Sequence, residues 1–166
     1  MNRYFIAAVA FGLCATASLA QTKFSGTIQC SVKPEIMQAV PAGDQDGHTF
    51  GVEQYKCAWS KSYELAGTKS KDHVATAYFE ATGGTQHVTG MGVTTMENGD
   101  KSFYPYHGTS TLKKDGSLVG ASGKWQFNGG TGKLQGVKGK GTYKCTPGKD
   151  GTTFTCDIEG EYQLGN

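Results

Sequence analysis

Four cysteines stand clear of the apolar N-terminal run: Cys30, Cys57, Cys145 and Cys156. An even set of thiols in an exported chain points to disulfides, and four of them allow three connectivities. A zinc site would need Cys-x-x-Cys or His-x-x-x-His spacing; neither occurs, so no metal is expected. Among the histidines, His87 is the one placed to act as an acid or base near pH 7. Glu53 shares an alternation with Gly51, Tyr55, Cys57 and Trp59, which aims it inward among rings. A carboxyl there must pair, reach solvent, or keep its proton to unusually high pH, and the last suits acid-base chemistry. Glu53 and His87 are therefore the catalytic candidates, weighed against plainer roles as the partner of a lysine and a rim histidine. No Gly-x-Ser-x-Gly occurs and no free thiol is expected to remain, so nucleophilic hydrolysis has no support.

The elements that position these residues read as strands. Over residues 137–145, Val137, Gly139, Gly141, Tyr143 and Cys145 share one face and Lys138, Lys140, Thr142 and Lys144 the other. That is the period of a half-buried strand. Residues 154–164 repeat it, with Phe154, Cys156, Ile158, Gly160, Tyr162 and Leu164 on the apolar side. Between them Asp150-Gly151 is a hairpin signal. Centring the turn there sets Cys145 against Cys156, Tyr143 against Ile158, Gly141 against Gly160, Gly139 against Tyr162, and Val137 against Leu164. The same register brings Lys140 to Glu161 and Lys144 to Asp157 on the wet face, and a one-residue slip would break every pair. It predicts a Cys145–Cys156 disulfide and, by elimination, Cys30–Cys57. Pro147 has no N-H to give, so a four-residue loop that leaves it at a non-hydrogen-bonded pair is expected.

Further strands are expected near residues 24–32, 48–59, 72–82, 86–96, 101–114 and 117–127. Gly83-Gly84, Asn98-Gly99 and Asp115-Gly116 supply turns. Residues 33–47, with Pro34, Pro41, Gly43, Asp44 and Asp46, break the pattern and read as a long loop of the kind that often carries function. A calcium loop there lacks its bidentate glutamate. Chaining the turns puts Tyr106 opposite Trp125, Tyr104 opposite Phe127, Gly108 opposite Gly123 and Leu112 opposite Val119. Across Asn98-Gly99 it puts Met91 opposite Tyr106 and Val93 opposite Tyr104. The face shared by Met91, Tyr104, Tyr106, Trp125 and Phe127 is then either closed core or the wall of a ligand pocket. Glycines recur on it (Gly108, Gly123, Gly139, Gly141, Gly160), leaving space or bending strands around a barrel, and His87 falls on it near Ser110.

The segment GKWQFNGGTGKLQGVKGKGTYKC, residues 123–145, resembles the strand, Gly-Gly-Thr-Gly turn and strand of the allene oxide cyclase and dirigent protein superfamily. Its glycines do not make a phosphate loop, because Leu134 stands where Ser or Thr should follow Lys133 and no helix follows. The resemblance implies a secreted or plastid-targeted eight-stranded antiparallel barrel with an apolar central cavity, in a family whose members are commonly trimers. It also implies an isomerase or cyclase that shapes a reactive intermediate, with Glu53, His87, Tyr104 or Tyr106 supplying proton transfer or polarisation. No cavity acid carries over residue for residue.

Residues 1–20 read as a secretory signal peptide, with Arg3, an apolar run over 4–13 and small residues ending at Ala20. The run is too short to span a membrane, and Leu13 before Cys14 argues against a lipoprotein. Residues 21–166 then form a single domain, secreted or periplasmic. The net charge is +2 with basic residues scattered among acidic ones, which offers no face to nucleic acid. No cofactor motif is present. The fold expected is all-β, a closed antiparallel barrel of about eight strands, with a β-sandwich as the alternative. An outer-membrane barrel would turn the cysteines to lipid. Three functions fit: binding of a small apolar or aromatic molecule in the interior, a cyclase or isomerase, and a cell-envelope structural or protein-binding module using residues 33–47. The partners expected are that small ligand and further copies of the chain in a homo-oligomer.

Overall fold

A computed structural model describes residues 21–165; the expected signal peptide lies outside the described residues. The strands are β1 (Thr22–Ser31), β2 (Ile36–Pro41), β3 (Thr49–Lys61), β4 (Glu64–Leu65), β5 (Thr68–Thr82), β6 (Thr85–Met96), β7 (Lys101–Leu112), β8 (Leu118–Phe127), β9 (Gly129–Gly130), β10 (Lys138–Pro147) and β11 (Thr153–Gln163). A single 3-10 turn, Gly132–Leu134, lies between β9 and β10. Among these residues no helix is long and apolar enough to cross a membrane.

Eight of the strands close a ring in the order β1, β3, β5, β6, β7, β8, β10, β11, every pair antiparallel. The expected barrel is therefore the fold, and closure leaves no edge within the ring. β2 lies outside it: β3 offers Thr49–Gln54 to β2 and Cys57–Lys61 to β1, while β5 occupies its other side.

The β10–β11 hairpin has the register its alternation dictates, with Cys145 opposite Cys156, Tyr143 opposite Ile158, Gly141 opposite Gly160 and Lys140 opposite Glu161. Gly148 N donates to Thr153 O, so residues 149–152 form the four-residue loop, and Pro147 pairs with Phe154 without being asked for an N-H. Both disulfides form as expected. Their Cα–Cα distances, 4.0 Å for Cys145–Cys156 and 4.4 Å for Cys30–Cys57, are those of non-hydrogen-bonded cross-strand pairs.

Three expectations are corrected. The stretch read as a loop over residues 33–47 contains β2. Pro34 precedes that strand and Pro41 ends it, so neither removes an N-H the ladder uses, and all six residues are exposed, which leaves no alternation to read. The turn at Asn98-Gly99 is a three-residue loop over residues 97–99, in which Met96 N donates to Asp100 O and Gly99 N to Met96 O. Of the two turn residues only Gly99 has positive φ, 86°, whereas a two-residue type I′ turn needs two such residues. The added residue shifts the register by one, so Tyr106 faces Gly90, Tyr104 faces Gly92, Val93 faces Phe103 and Met91 faces Pro105. Met91 and His87 consequently point outward. The β7–β8 turn is also one residue longer, with Lys113 N bonded to Ser117 O, and Leu112 meets Leu118 instead of Val119. A bulge between Thr111 and Leu112 absorbs the extra residue, so Tyr106–Trp125 and Gly108–Gly123 remain paired as expected.

The inward glycines are beds for rings. Built in place, a Cβ on Gly92 would strike the Tyr104 ring, one on Gly90 the Tyr106 ring, one on Gly123 the Tyr143 ring, and one on Gly141 or Gly160 the Trp125 indole. The rings lie down against the wall because the neighbouring strand has no side chain there, as in aromatic rescue of strand glycines. One end of the barrel is packed solid by Phe24, Tyr63, Leu65, Phe127, Leu134 and Val137, with Leu65 and Leu134 fully buried. The Phe24 ring touches Tyr63 at 4.8 Å and Trp125 at 5.6 Å.

Candidate functional site

Above that floor the barrel is hollow. A cavity of about 710 Å³ runs from Trp125 and Tyr104 up to the exposed turns at Asp115-Gly116 and Gly151, where it opens. This lies within the range of about 300 to 1,000 Å³ typical of small-molecule sites. Its wall is built by alternation: β3 contributes Glu53, Tyr55 and Cys57, β5 Ala75 and Phe79, β7 Tyr104 and Tyr106, and β10 Tyr143 and Cys145. Met37 and Ala39 of β2 hang over the mouth. Both disulfides face the hollow.

Glu53 is the acid of this interior, only 8% exposed. Gln86 Nε2 donates to its Oε2 at 3.3 Å, and the Tyr55 hydroxyl also bonds it. Desolvation holds its carboxyl above the ordinary carboxylate range, with those two hydrogen bonds pulling the other way. Burial, with the Glu53 charge nearby, pushes the Tyr143 hydroxyl up to about 12 and raises those of Tyr55 and Tyr106. Lower down, His73 Nδ1 lies 3.1 Å from the Tyr104 hydroxyl and 3.3 Å from Thr94 Oγ1, its ring stacked on Tyr104. Burial drives His73 down to about 4, so it is neutral at pH 7.

The structure gathers part of the candidate set. Glu53, Tyr104, Tyr106 and Trp125 line the cavity together. Phe127 is on the inward face but one step deeper, stacked edge to face on Tyr104 at 5.8 Å within the packed floor, so it is not a lining residue. Met91 is 40% exposed on the outer wall, and exposed His87 lies 3.3 Å from Thr109 Oγ1 there; the one-residue shift at residues 97–99 put both outside. Gln86 and Val88 take the inward positions instead. His73 carries no sequence signal of a site although it shares the parity of Ala75, Ala77 and Phe79, and Tyr143 is inward by alternation with nothing in the sequence that marks it as part of a site.

Among the described lining residues there is no lysine or arginine. The arrangement can therefore hold an apolar molecule against ring faces, donate or accept hydrogen bonds near Glu53, and exchange a proton there, but it offers no cation to an anionic ligand. A scan against models of known protein families finds no match to this sequence, and a search of curated proteins finds no significant match.

Proposed function

We propose that this protein is an exported barrel that binds a small, largely apolar or aromatic molecule in its interior. The observation that carries the reading is the open cavity of about 710 Å³ above a solid floor, walled by rings held flat on glycines. A closed core would have filled that volume with side chains, since the interior of an eight-stranded barrel is just wide enough for them to do so. Export is supported by the leader-like residues 1–20 and by the two disulfides, which persist in oxidising compartments. The test is titration with a neutral fluorophore, N-phenyl-1-naphthylamine, alongside native mass spectrometry under non-reducing conditions. Saturable one-site binding that is lost in Ala75→Trp, a variant that fills the lumen, is the expected result. Absence of binding by the wild type, or equal binding by the filled variant, overturns the reading.

A second reading, a cyclase or isomerase of the kind the allene oxide cyclase resemblance implies, is favoured by one specific arrangement. Glu53 holds its proton more tightly than an ordinary carboxyl and sits beside the Tyr55 hydroxyl, which suits proton transfer to an enclosed substrate. Under that reading Glu53→Gln abolishes turnover while leaving binding of the neutral fluorophore intact.

A further inference from the structure

The geometry points to an organic cation as the occupant of this cavity: an apolar molecule carrying one tertiary or quaternary ammonium, seated on the tyrosine and tryptophan faces beside Glu53. The inference rests on the reading of the cavity as a binding site and adds the charge of what enters it.

Charge decides the matter first. Glu53 is buried mid-barrel and bonded only to neutral groups, Gln86 and Tyr55. His73, the basic side chain in the wall, is desolvated and neutral at pH 7 and is engaged by Tyr104 and Thr94. The other acid on the lining, Asp115, sits at the exposed mouth, where Lys113 on the same turn offsets its charge, so the sign of the interior is set by Glu53. A carboxylate or phosphate ligand would therefore lose its hydration with no lysine or arginine in the wall to replace it, whereas a cation would favour the ionised form of Glu53 that burial otherwise disfavours and complete a pair that the protein leaves half made.

Ring geometry decides it further. Tyr106 packs on Gly90, Tyr143 on Gly108 and Gly123, and Trp125 on Gly141 and Gly160, and all three rings line the cavity, so an occupant there is in contact with three aromatic rings. The face of an aromatic ring carries the negative part of its quadrupole. The Tyr106 ring reaches Gly90 beside Ala77, and Ala77 is the cross-strand neighbour of Glu53, so ring and carboxylate are adjacent. Ring faces with one carboxylate are the surroundings in which proteins replace the weak hydration of an alkylammonium.

The experiment compares three probes of one shape by calorimetry on the full mature protein with its disulfides intact: benzyltrimethylammonium, its neutral isostere neopentylbenzene, and the anion 3-phenylpropionate. The cation is expected to bind at least about tenfold tighter than the isostere, with the anion weakest. In Glu53→Gln, shown to be folded by its circular dichroism and urea unfolding, the tenfold preference of cation over isostere disappears. If the isostere binds and the cation binds no better, or if Glu53→Gln keeps the preference, the inference is overturned and the cavity reading stands. If none of the three probes nor the neutral fluorophore binds, the two fall together.

Discussion

Gly90→Ala isolates the principle that keeps this barrel open. The added methyl would lie 2.8 Å from Tyr106 Cζ and 2.8 Å from Ala77 Cβ, and would also press on the Thr76 carbonyl. Comfortable carbon contacts begin at about 3.5 Å, so the overlap is about 0.7 Å against two neighbours, one of them backbone-fixed. Overpacking of this kind costs about 1 to 3 kcal/mol, against which the loss of glycine freedom in the unfolded chain returns about 0.4 to 1 kcal/mol. Gly120→Ala is the matched control, because its methyl would meet only Cys145 O at an ordinary 3.5 Å. That variant should be neutral or slightly stabilised. At about 2 to 4 °C per kcal/mol for a domain of this size, Gly90→Ala should melt several degrees below wild type and Gly120→Ala at or just above it. Thermal and urea unfolding followed by circular dichroism measure both, with unchanged m-values confirming two comparable transitions. Adding Tyr106→Ala should make the Gly90→Ala penalty smaller than it is alone, since one of the three overlaps is gone. Equal melting of Gly90→Ala and Gly120→Ala would refute the claim that the rings are bedded on the glycines.

Removing the disulfides should cost stability in order of the loops they close: with sequence separations of 27 for Cys30–Cys57 and 11 for Cys145–Cys156, chain entropy gives about 3.6 and about 2.8 kcal/mol. Urea unfolding of the two double-serine variants checks the ranking, and a costlier loss at Cys145–Cys156 would contradict it. His48 sits 2.6 Å from Asp44 and 3.0 Å from Glu80, and the Asp44 hydrogen bond chiefly holds its pKa above the ordinary 6.5. Its protonated form therefore stabilises the fold fully below pH 6.5, and the contribution fades as pH rises through the higher folded value. NMR titration of the His48 ring should give a midpoint above 6.5 that falls in Asp44→Asn; an unmoved midpoint would sink the assignment. His73 behaves oppositely. Held near 4 by burial, it makes the folded state lose stability as pH falls from 6.5 towards 4, by about 3 kcal/mol in all. His73→Gln should flatten that acid limb in pH-resolved urea melts, and an unchanged limb would assign it to other groups.

The hairpin at Asp150-Gly151 was legible in the sequence because cysteines, charges and apolar residues each demanded the same register. Asn98-Gly99 was not, because that dipeptide serves a two-residue and a three-residue loop equally, and the choice moves every β6 side chain to the other face. The information needed was one strand away. Gly83-Gly84, both with positive φ, is a true two-residue turn, and it sets Val88 opposite Phe79 and Gly90 opposite Ala77. Those pairs put Val88 and Gly90 in the lumen and exclude Met91 from it, so the two turn readings conflict over β6. At β7–β8 the same error in turn length did no harm, since the bulge beside Leu112 restored the register of Tyr106 and Trp125. Parity gives a residue's face and not its height, which is why Phe127 was placed on the right side of its strand and at the wrong level of the barrel.

The division of this barrel into a solid floor and a hollow upper half explains where its disulfides lie. The floor is held by burial of Phe24, Tyr63, Leu65, Phe127, Leu134 and Val137 against one another. The upper wall has no such packing across the lumen, and each glycine that lets a ring lie flat also removes a side chain from between strands. What the wall lacks in contacts it has in covalent ties: Cys30–Cys57 joins β1 to β3 where β1 hands over to β2, and Cys145–Cys156 joins β10 to β11 below the loop that rims the mouth. A bridge restricts the unfolded chain without filling space in the folded one. Cross-links of this kind stabilise a wall while leaving its interior empty, which a larger hydrophobic core could not do.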